Sequence, residues 1–392
     1  MLNPKEAKRL LEHCLPALQQ CRSSSSSASS SASSSAPSSK NNNTNSNSNS
    51  KNKNKNNTQP QYDNKIQVEN MCRLWGGMGY VYQIQVAVDH DRSSDDLVEF
   101  IMIVKQVSNN NNKRLSLGDQ RKADSYECEA NFYEHMAPIL LQKGLEIPTP
   151  LHVERQNKGV TICMTKLHGD SSYLGQDETK AALQWLATLH AATWGSTADK
   201  AVDEFGLQPQ GSYWYLETRP DEHASIRSKG WEGRLKRAAT AIDERLKRDP
   251  MQCCVHGDAK GANMLFRQHE GELVVGMYDF QYCGKAPPTK DLAYFLCVAA
   301  DDNDSSYLEY YHEQLLERLD HESSSSLYRP TLEELQDSLD LAYCDWARFM
   351  AGWGYWGTDI SKHVIKVLDR LDGGKDLGTE DAYREAVLRE YG

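Results

Sequence analysis

The sequence has no long apolar run, no basic excess and no C-x-x-C cysteine pair, and each absence excludes a class of protein. No apolar segment approaches the ~20 residues of a membrane-spanning helix. The N-terminal stretch MLNPKEAKRLLEHCLPALQQC lacks the apolar core of a signal peptide. Basic residues number 44 and acidic residues 55, giving a net charge of -11. We therefore expect neither a nucleic-acid binder nor a protein that binds anionic membranes.

The ten cysteines are scattered along the chain without a C-x-x-C pair. This spacing favours free thiols in a reducing compartment over a disulfide framework. We expect a cytoplasmic protein that does not insert into membranes. Nothing in the sequence predicts an oligomeric state.

The N-terminal region combines an apolar stripe with a long polar tract. Within residues 1–22, one helical face carries Ala7, Leu10, Leu11, Cys14, Leu15 and Leu18. This periodicity predicts a short amphipathic helix docked on the main body, and a frayed tail is the alternative. Residues 23–62 are rich in serine and asparagine, a composition that buries too little apolar area to offset chain entropy, so we predict a disordered linker.

Strand patterns follow the polar tract. Tyr80–Val88 alternates apolar and polar residues, Val98–Val107 is more apolar, and Val160–Leu167 forms a third run. These patterns predict strands, with a helix over Ala123–Leu141. Beyond residue 177 the periodicity is mostly helical, and Thr331 to Glu334 forms a capping box.

These patterns predict an α+β protein of two lobes. Residues 63–167 form a small lobe around an antiparallel sheet, and residues 168–392 form a larger, mainly helical lobe.

A His-Gly-Asp tripeptide occurs twice and ends at Asp170 and at Asp258. After Asp258 the chain supplies Lys260 and Asn263, then an apolar strand and Asp279. The same offset from Asp170 reaches only Gly175, and no Asp-Phe pair follows. The tripeptide alone often forms a turn with an Asx-type hydrogen bond. The second copy is therefore the catalytic candidate, and the first is predicted to be a connecting loop between lobes.

Phosphoryl transfer uses this combination of residue types. Asn263 and Asp279 supply oxygen ligands for a metal ion, and Asp258 supplies a carboxylate that accepts the proton of an attacking hydroxyl. Lys260 places a positive charge near the transferred phosphoryl group. Several independent spacings must coincide to produce this array by chance, which favours a catalytic site.

The N-terminal lobe offers phosphate-binding candidates. The loop WGGMGYVY presents the backbone amides of Gly76, Gly77 and Gly79, although a glycine cluster before a strand is often a plain hairpin. Lys105 ends an apolar strand and Glu129 lies in the next predicted helix, so the two are candidates for an ion pair at the phosphates. The alternative is a solvated lysine and a surface glutamate.

Taken in order, WGGMG, IMIVK, ECEANFY, HGDAKGAN, MYDFQ and KDLAYFL resemble the aminoglycoside phosphotransferase and choline kinase superfamily. The resemblance covers Val68 to Gly357 and is strongest to the ecdysteroid-kinase-like (CHK kinase-like) branch. It implies a bilobal protein-kinase-like fold, ATP and Mg²⁺ as cofactors, and phosphate transfer to a small-molecule hydroxyl.

The resemblance also implies residue roles. Asp258 would be the catalytic base assisted by Lys260, and Asn263 and Asp279 would be the metal ligands. The cofactor-binding residues would be Gly76, Gly77, Gly79, Lys105, Glu129, Met164 and Lys166. Asp291 in KDLAYFL would brace the catalytic loop.

Two departures from the kinase patterns stand out. The glycines are spaced G-G-x-G rather than G-x-G-x-x-G, and Gln281 replaces the glycine that protein kinases carry after Asp-Phe. Asp291 lies only twelve positions after Asp279, and Ala-Pro-Glu is absent from the sequence. This short stretch leaves little room for a peptide-docking segment, which favours a metabolite kinase over a protein kinase.

The acceptor remains open among an amino alcohol, an aminoglycoside and a steroid-like alcohol. Candidate lining comes from 211–223 and 345–357. The second segment concentrates aromatic residues that would either box a quaternary ammonium or form helix-packing core: Trp346, Phe349, Trp353, Tyr355 and Trp356. Four acidic residues would suit a cationic acceptor or be solvated surface: Glu217, Asp221, Glu222 and Asp345.

The sequence therefore predicts an ATP-dependent small-molecule kinase. A pseudokinase that binds nucleotide as a scaffold is the alternative. Such proteins usually lose one of the key positions, and Lys105, Asp258, Asn263 and Asp279 are all filled.

Overall fold

A five-stranded antiparallel sheet forms the N-terminal lobe in the computed structural model of the chain. The structure describes residues 2–28, 66–89, 97–108, 117–156, 159–300, 306–322 and 327–392. The strand order is β1-β2-β3-β5-β4. The strands are β1 (Gln67–Arg73), β2 (Gly79–Asp89), β3 (Leu97–Val107), β4 (Pro150–Gln156) and β5 (Gly159–Thr165).

Strand β2 shows why this sequence forms a sheet. Tyr82, Ile84 and Val86 are buried, while the intervening residues are partly exposed, as expected for side chains that alternate between faces. The strand pairs along its whole length with β3, from Gly79 opposite Val107 onward. The predicted strands in this region are confirmed, whereas β1 and β4 were not predicted.

Helix α1 (Pro4–Ala28) covers one face of this sheet. Its apolar stripe packs against buried residues of the strands: Tyr82, Ile84, Val86, Phe100, Met102, Val104 and Cys163. Arg9 donates to both carboxylate oxygens of Glu154 at 3.1 and 2.7 Å. The amphipathic stripe seen in the sequence is therefore the face that docks.

The helix also extends past residue 22, into the start of the predicted polar tract, and ends at Ala28. Serine and alanine are both compatible with helical backbone, and alanine favours it. The rest of the predicted linker, residues 29–62, lies outside the described residues.

The helix predicted over Ala123–Leu141 occurs as three consecutive segments. Helix α2 (Leu117–Asn131) leads into a π-helical segment (Phe132–Met136) and then into α3 (Ala137–Gln142). Single π turns insert an extra residue into a helix and are frequent near functional sites. Helix α2 packs against strand β5 and carries Glu129 on its buried face.

The C-terminal lobe is mainly helical. Its helices are α4 (Gln176–Ala192), α5 (Ser196–Asp203), α6 (Pro220–Ser225), α7 (Gly230–Lys247), α8 (Thr289–Val298), α9 (Ser306–His321), α10 (Leu332–Trp353), α11 (Ser361–Asp372) and α12 (Glu380–Tyr391). The predicted capping box is present at the start of α10, where Thr331 and Glu334 bond reciprocally.

Two short antiparallel ladders flank the loop that carries the second His-Gly-Asp tripeptide. Strand β6 (Cys253–Val255) pairs with β9 (Gly284–Ala286), and β7 (Met264–His269) pairs with β8 (Glu272–Met277). The second His-Gly-Asp tripeptide follows β6 directly, and Asp279 follows β8. The two ladders thus bring these segments side by side.

A small sheet lobe joined to a larger helical lobe is the bilobal kinase-like fold that the sequence predicts, and the fold class is confirmed. Within the described ranges, no helix has both the length and the apolar character to cross a bilayer.

Candidate active site

A cleft of about 1290 Å³ is lined by residues of both lobes. Its lining comes from β2, β3 and β5, from α2, from the segment after β5, and from the loops after β6 and β8. Seven of the predicted site residues line it directly: Lys105, Glu129, Met164, Lys166, Asp258, Lys260 and Asp279. Asn263 is not among the described lining residues.

Lys105 joins the two lobes at the centre of this cleft. Its Nζ lies 2.5 Å from Glu129 Oε2 and 2.8 Å from Asp279 Oδ1. Lys105 and Glu129 are buried, at 6 and 1% exposure. The predicted pair of Lys105 and Glu129 therefore forms, and Asp279 of the other lobe completes a three-residue cluster.

Burial and charge act in opposite directions on these groups. Burial alone would lower the pKa of Lys105, but the carboxylates of Asp279 and Glu129 outweigh it and raise that pKa. Burial raises the pKa of Glu129 to about 7 against the opposing effect of Lys105. Burial would also raise the pKa of Asp279, but Lys105 and a hydrogen bond from Gln281 lower it to about 2. Asp279 therefore stays ionised at neutral pH.

The carboxylate of Asp258 is held by three donors. Lys260 Nζ lies 2.8 Å from Oδ2, and Asn263 Nδ2 lies 3.2 Å from the same oxygen. Tyr294 donates its hydroxyl to Oδ1 at 3.0 Å. Lys260 is the most exposed of these donors, with 38% of its side chain accessible. An incoming hydroxyl would thus displace Lys260 more readily than the buried Tyr294.

Asp291 fixes the backbone of this loop. Its Oδ2 accepts from the His256 amide at 2.6 Å, and its Oδ1 accepts from the Gly257 amide at 2.9 Å. His190 Nε2 lies 3.2 Å from the same carboxylate. The predicted bracing role of Asp291 is confirmed by these contacts.

Two oxygens beside Asp258 are suited to a cation. The Nδ2 group of Asn263 is committed to Asp258, so its amide oxygen is left for a ligand. Asp279 Oδ1 accepts from Lys105 and Gln281, which leaves Oδ2. The Tyr278 amide donates to the Asn263 carbonyl at 3.1 Å and so links the two segments. Among the described residues, no group of three or more His, Cys, Asp or Glu forms a complete metal cage.

This donor set fits Mg²⁺, which usually takes one or two protein oxygens and completes its shell with water and substrate phosphates.

The glycine-rich loop between β1 and β2 contains a 3₁₀ turn over Trp75–Gly77. Gly76 and Gly77 have positive φ, and a Cβ at Gly79 would stand 2.0 Å from the Gln106 carbonyl oxygen. Among the described lining residues this loop contributes Leu74 and Trp75 but none of the three glycines. The structure therefore assigns the glycines a clear backbone role, and their amides as a phosphate cover remain a prediction.

The end of β5 supplies the two remaining predicted cofactor residues. Met164 is buried and lines the cleft. Lys166 also lines it but is exposed, and its Nζ bonds Gln83 Oε1 at 2.9 Å.

The first tripeptide occupies a different environment. Asp170 pairs through its backbone with Phe266 of β7, at 3.0 and 2.9 Å. Its side chain is exposed and does not belong to the described lining of the cleft.

The acidic residues predicted to attract a cationic acceptor lie elsewhere. Glu217 pairs with Lys247, Glu222 with Arg219, and Asp345 is buried against Lys290 and Arg348. None of the four predicted residues, Asp221 included, is among the described lining of the cleft. The structure therefore does not favour a role in acceptor binding for these carboxylates, because three of them are used in ion pairs and Asp221 is exposed.

The aromatic cluster of 345–357 is divided between core and surface. Trp346 and Phe349 are buried at 1% exposure, and Trp346 stacks edge-on against Trp214. Trp353 lines the cleft and is 55% exposed, whereas Tyr355 and Trp356 are exposed outside the described lining. The packing alternative therefore holds for the buried pair.

Five residues near Asp258 form a surface that we call the aromatic wall: Lys122, Tyr213, Arg219, Tyr282 and Trp353. The ring of Tyr213 lies 5.4 Å from that of Tyr282. The Tyr213 hydroxyl is 3.3 Å from that of Tyr294, which bonds Asp258. The wall is thus connected to the predicted base.

Sequence reasoning missed Lys122 and the role of Gln281. Lys122 Nζ donates to Gln281 Oε1 at 2.6 Å, and Gln281 Nε2 donates to Asp279 Oδ1. The amide that replaces glycine therefore links a second lysine to the predicted metal ligand. The available signal was the seven-residue spacing of Lys122 and Glu129, which places both on one helical face.

This fold and this cleft define a kinase-like phosphotransferase. The family model "Phosphotransferase enzyme family" matches residues 107–328, more than half of the chain. The chain belongs to this family.

Solved structures with related folds include several small-molecule kinases. A microcompartment-associated aminopropanol kinase is 13% identical, covering 84% of this chain and 95% of its own, with a TM-score of 0.43. Ethanolamine kinase of Plasmodium vivax is 13% identical, covering 74 and 77%, with a TM-score of 0.42. An aminoglycoside phosphotransferase of Streptomyces rimosus is 13% identical, covering 72 and 92%, with a TM-score of 0.39. No curated protein matches the chain significantly. The family assignment rests on the family model.

Proposed function

We propose that the protein transfers the γ-phosphate of ATP to a hydroxyl group of a small molecule. The observation that carries this proposal is the joint placement of Lys105, Glu129, Asp258 and Asp279 around one cleft, with Asn263 bonded to Asp258. These residues come from both lobes and from separate elements. The motif order further supports membership of the ecdysteroid-kinase-like branch.

Each residue has a role that follows from its contacts. Lys105, oriented by Glu129, is placed to bind the α- and β-phosphates. Asn263 and Asp279 would hold Mg²⁺, which supplies positive charge to the phosphate oxygens. Asp258 orients the acceptor hydroxyl and accepts its proton, while Lys260 contributes positive charge beside the transferred group.

The glycine-rich loop, Met164 and Lys166 complete the nucleotide side of this proposal. Met164 offers a buried apolar surface to the base, and the exposed Lys166 lies at the mouth of the cleft.

Two measurements test the function. ATP should bind in a Mg²⁺-dependent manner, and a panel of hydroxyl-bearing metabolites should yield at least one compound that releases ADP. Lys105→Ala should weaken productive ATP binding, because it removes the ammonium shared by Glu129 and Asp279 and leaves one buried and one partly buried carboxylate without it.

Lys143→Ala is the matched control, since Lys143 is 44% exposed and pairs with Glu322 away from the cleft. Equal losses of ATP affinity in both variants would contradict the assignment of Lys105. ATP binding without turnover of any acceptor would favour the scaffold alternative.

A further inference from the structure

The aromatic wall carries positive charge. Arg121, Lys122 and Arg219 line the cleft, and two of them belong to the wall. The acceptor of a phosphoryl group must approach Asp258 from a side that ATP does not fill. The charge of this wall therefore bears on the kind of acceptor that binds.

Arg219 is connected to the predicted base through two tyrosines. Its guanidinium carbon lies 5.8 Å from the centre of the Tyr213 ring. The Tyr213 hydroxyl contacts Tyr294, which donates to Asp258. Two tyrosines and two hydrogen bonds thus connect the guanidinium to the residue that would receive the acceptor hydroxyl. A compact acceptor can span this separation.

The guanidinium is held in a fixed orientation. Its Nε donates to the Tyr213 carbonyl at 3.0 Å, and its Nη1 faces Glu222 at 3.4 Å. The rings of Phe349 and Trp353 each lie 5.3 Å from its carbon. No described residue bonds its Nη2. An arginine stacked on rings loses little entropy when it binds a planar carboxylate.

Lys122 provides a second positive group across the wall. Its Nζ lies 3.2 Å from the Tyr282 hydroxyl and 4.9 Å from the centre of the Tyr126 ring. Burial lowers its pKa to about 8, so the ammonium has lost part of its hydration. A neighbouring anion would compensate for that loss.

The carboxylates that line the cleft are largely committed. Glu129 and Asp279 bond Lys105, and Asp258 bonds Lys260.

The two other acidic lining residues are Asp119 and Asp124. Both are exposed on α2, and Asp124 accepts from Gln120 of its own helix. The wall is partly buried and presents two cations, Lys122 and Arg219, of which Arg219 shares its Nη1 with Glu222. An ammonium group placed between them would meet like charge.

We propose that the acceptor is an alcohol that also carries a carboxylate, bound by Arg219 and Lys122 while its hydroxyl faces Asp258. This inference rests on the proposed phosphotransfer and names the class of its acceptor. The aromatic rings of the wall provide apolar surface for the part of the molecule between the two groups.

Three compounds that share a para-substituted benzyl alcohol skeleton test which charge the acceptor carries. They are para-(hydroxymethyl)benzoate, para-(hydroxymethyl)benzylamine and para-methylbenzyl alcohol, which differ only in the group opposite the hydroxymethyl. Affinity is measured on the full chain with Mg²⁺ and a non-hydrolysable ATP analogue, and ADP release is measured separately with ATP. We expect the carboxylate to bind at least about tenfold more tightly than the amine, because a carboxylate can form charge-assisted hydrogen bonds with Arg219 and Lys122.

Two variants locate the effect. Arg219→Gln should reduce affinity for the carboxylate by about tenfold or more and leave the neutral alcohol within about twofold. Arg389→Gln is the matched control, because Arg389 is 61% exposed on α12 and lies outside the described lining of the cleft. If Arg219→Gln loses ATP-analogue binding through misfolding, Lys122→Gln provides the same comparison.

The outcomes separate this inference from the function on which it rests. Tighter binding of the amine, no measurable binding of the carboxylate at millimolar concentration, or a carboxylate preference unchanged in the variants would each overturn the anion site. ADP release with the amine as the better acceptor would do the same and leave the kinase function intact. Selective carboxylate binding without ADP release from any compound would overturn the phosphotransferase function and keep the anion site.

Discussion

The two His-Gly-Asp tripeptides have the same sequence and opposite environments. His256, Gly257 and Asp258 are buried between β6 and the cleft, and their amides donate to the buried carboxylate of Asp291 and to the His256 ring. In 168–170 all three residues are exposed, and the backbone of Asp170 pairs with β7. The identity of the tripeptide therefore decides neither burial nor role.

The two copies differ in the side chains that contact their aspartates. Asp258 receives hydrogen bonds from Lys260, Asn263 and Tyr294, which belong to the following loop and to α8. Among the described contacts, the first copy uses main-chain groups, through which Asp170 pairs with Phe266 of β7. An acidic side chain acquires a chemical role when a second layer of residues fixes its orientation and excludes water.

The strongest test of this comparison exchanges each aspartate for asparagine. Asp258→Asn keeps the size of the side chain but removes its capacity to accept a proton, so turnover should fall by about 10² to 10⁴ while ATP and Mg²⁺ still bind. Asp170→Asn should leave turnover nearly unchanged. The measurements are turnover and nucleotide affinity on any accepted substrate. Loss of activity in Asp170→Asn with retention in Asp258→Asn would reverse the assignment.

The second test removes the brace that only the buried copy has. Asp291→Ala leaves the amides of His256 and Gly257 without their acceptor in a buried region, which should cost about 3 kcal/mol of unfolding free energy. Urea denaturation measures it. Asp170→Ala is the control, because its main-chain bonds to Phe266 survive the change. Similar costs for the two variants would show that the brace is not what distinguishes the copies.

The third test concerns the central glycines. Both have positive φ, +79° at Gly257 and +134° at Gly169. A Cβ at Gly257 would stand 2.2 Å from the Tyr282 carbonyl oxygen, and one at Gly169 would stand 2.7 Å from that of Phe266. Gly257→Ala should therefore lower the free energy of unfolding by about 2 kcal/mol, and Gly169→Ala should lower it by about 1 kcal/mol. A larger thermal destabilisation by Gly169→Ala would contradict this ranking.

The smallest expected effects come from the histidines. His256 Nε2 donates to the Tyr278 carbonyl, Nδ1 accepts from the Asp258 amide, and the ring packs on Phe280. Glutamine can keep only part of these contacts, so His256→Gln should lower the free energy of unfolding by about 1 kcal/mol. His168→Gln should stay within about 0.5 kcal/mol, since His168 is exposed. Thermal unfolding of both variants measures these two effects. Equal shifts in melting temperature would contradict the predicted difference between the histidines.

Local sequence order was enough to predict that the residues of the candidate catalytic loop lie close together. Asp258, Lys260 and Asn263 lie within six positions, and Asp279 follows after one hairpin, so their proximity is a consequence of short-range connections. Lys105 and Glu129 could be predicted because a strand end followed by a helix is a recurrent arrangement in kinases.

The aromatic wall could be predicted only in part. Tyr213, Arg219 and Trp353 lie in the segments 211–223 and 345–357 expected to line the acceptor site, whereas Lys122 and Tyr282 lie outside them. Its members Lys122, Tyr213, Tyr282 and Trp353 come from four distant segments that only the packed fold brings together. The ion pairs of the acidic residues expected beside the acceptor could not be predicted for a related reason. A sequence shows that Glu217 and Asp345 are charged, but it does not show that Lys247 and Lys290 neutralise them.

Helix α1 is connected to β1 only through residues 29–65, although it contacts β4 and β5 through its own side chains. The helix therefore binds the sheet as an intramolecular ligand. The fraction of molecules in which it is docked depends on its effective concentration at the sheet, which the length of the connecting segment sets. Cutting that segment would convert a concentration-independent contact into a bimolecular equilibrium. A separate peptide of residues 2–21 would then restore the covered face of the sheet in proportion to its own concentration.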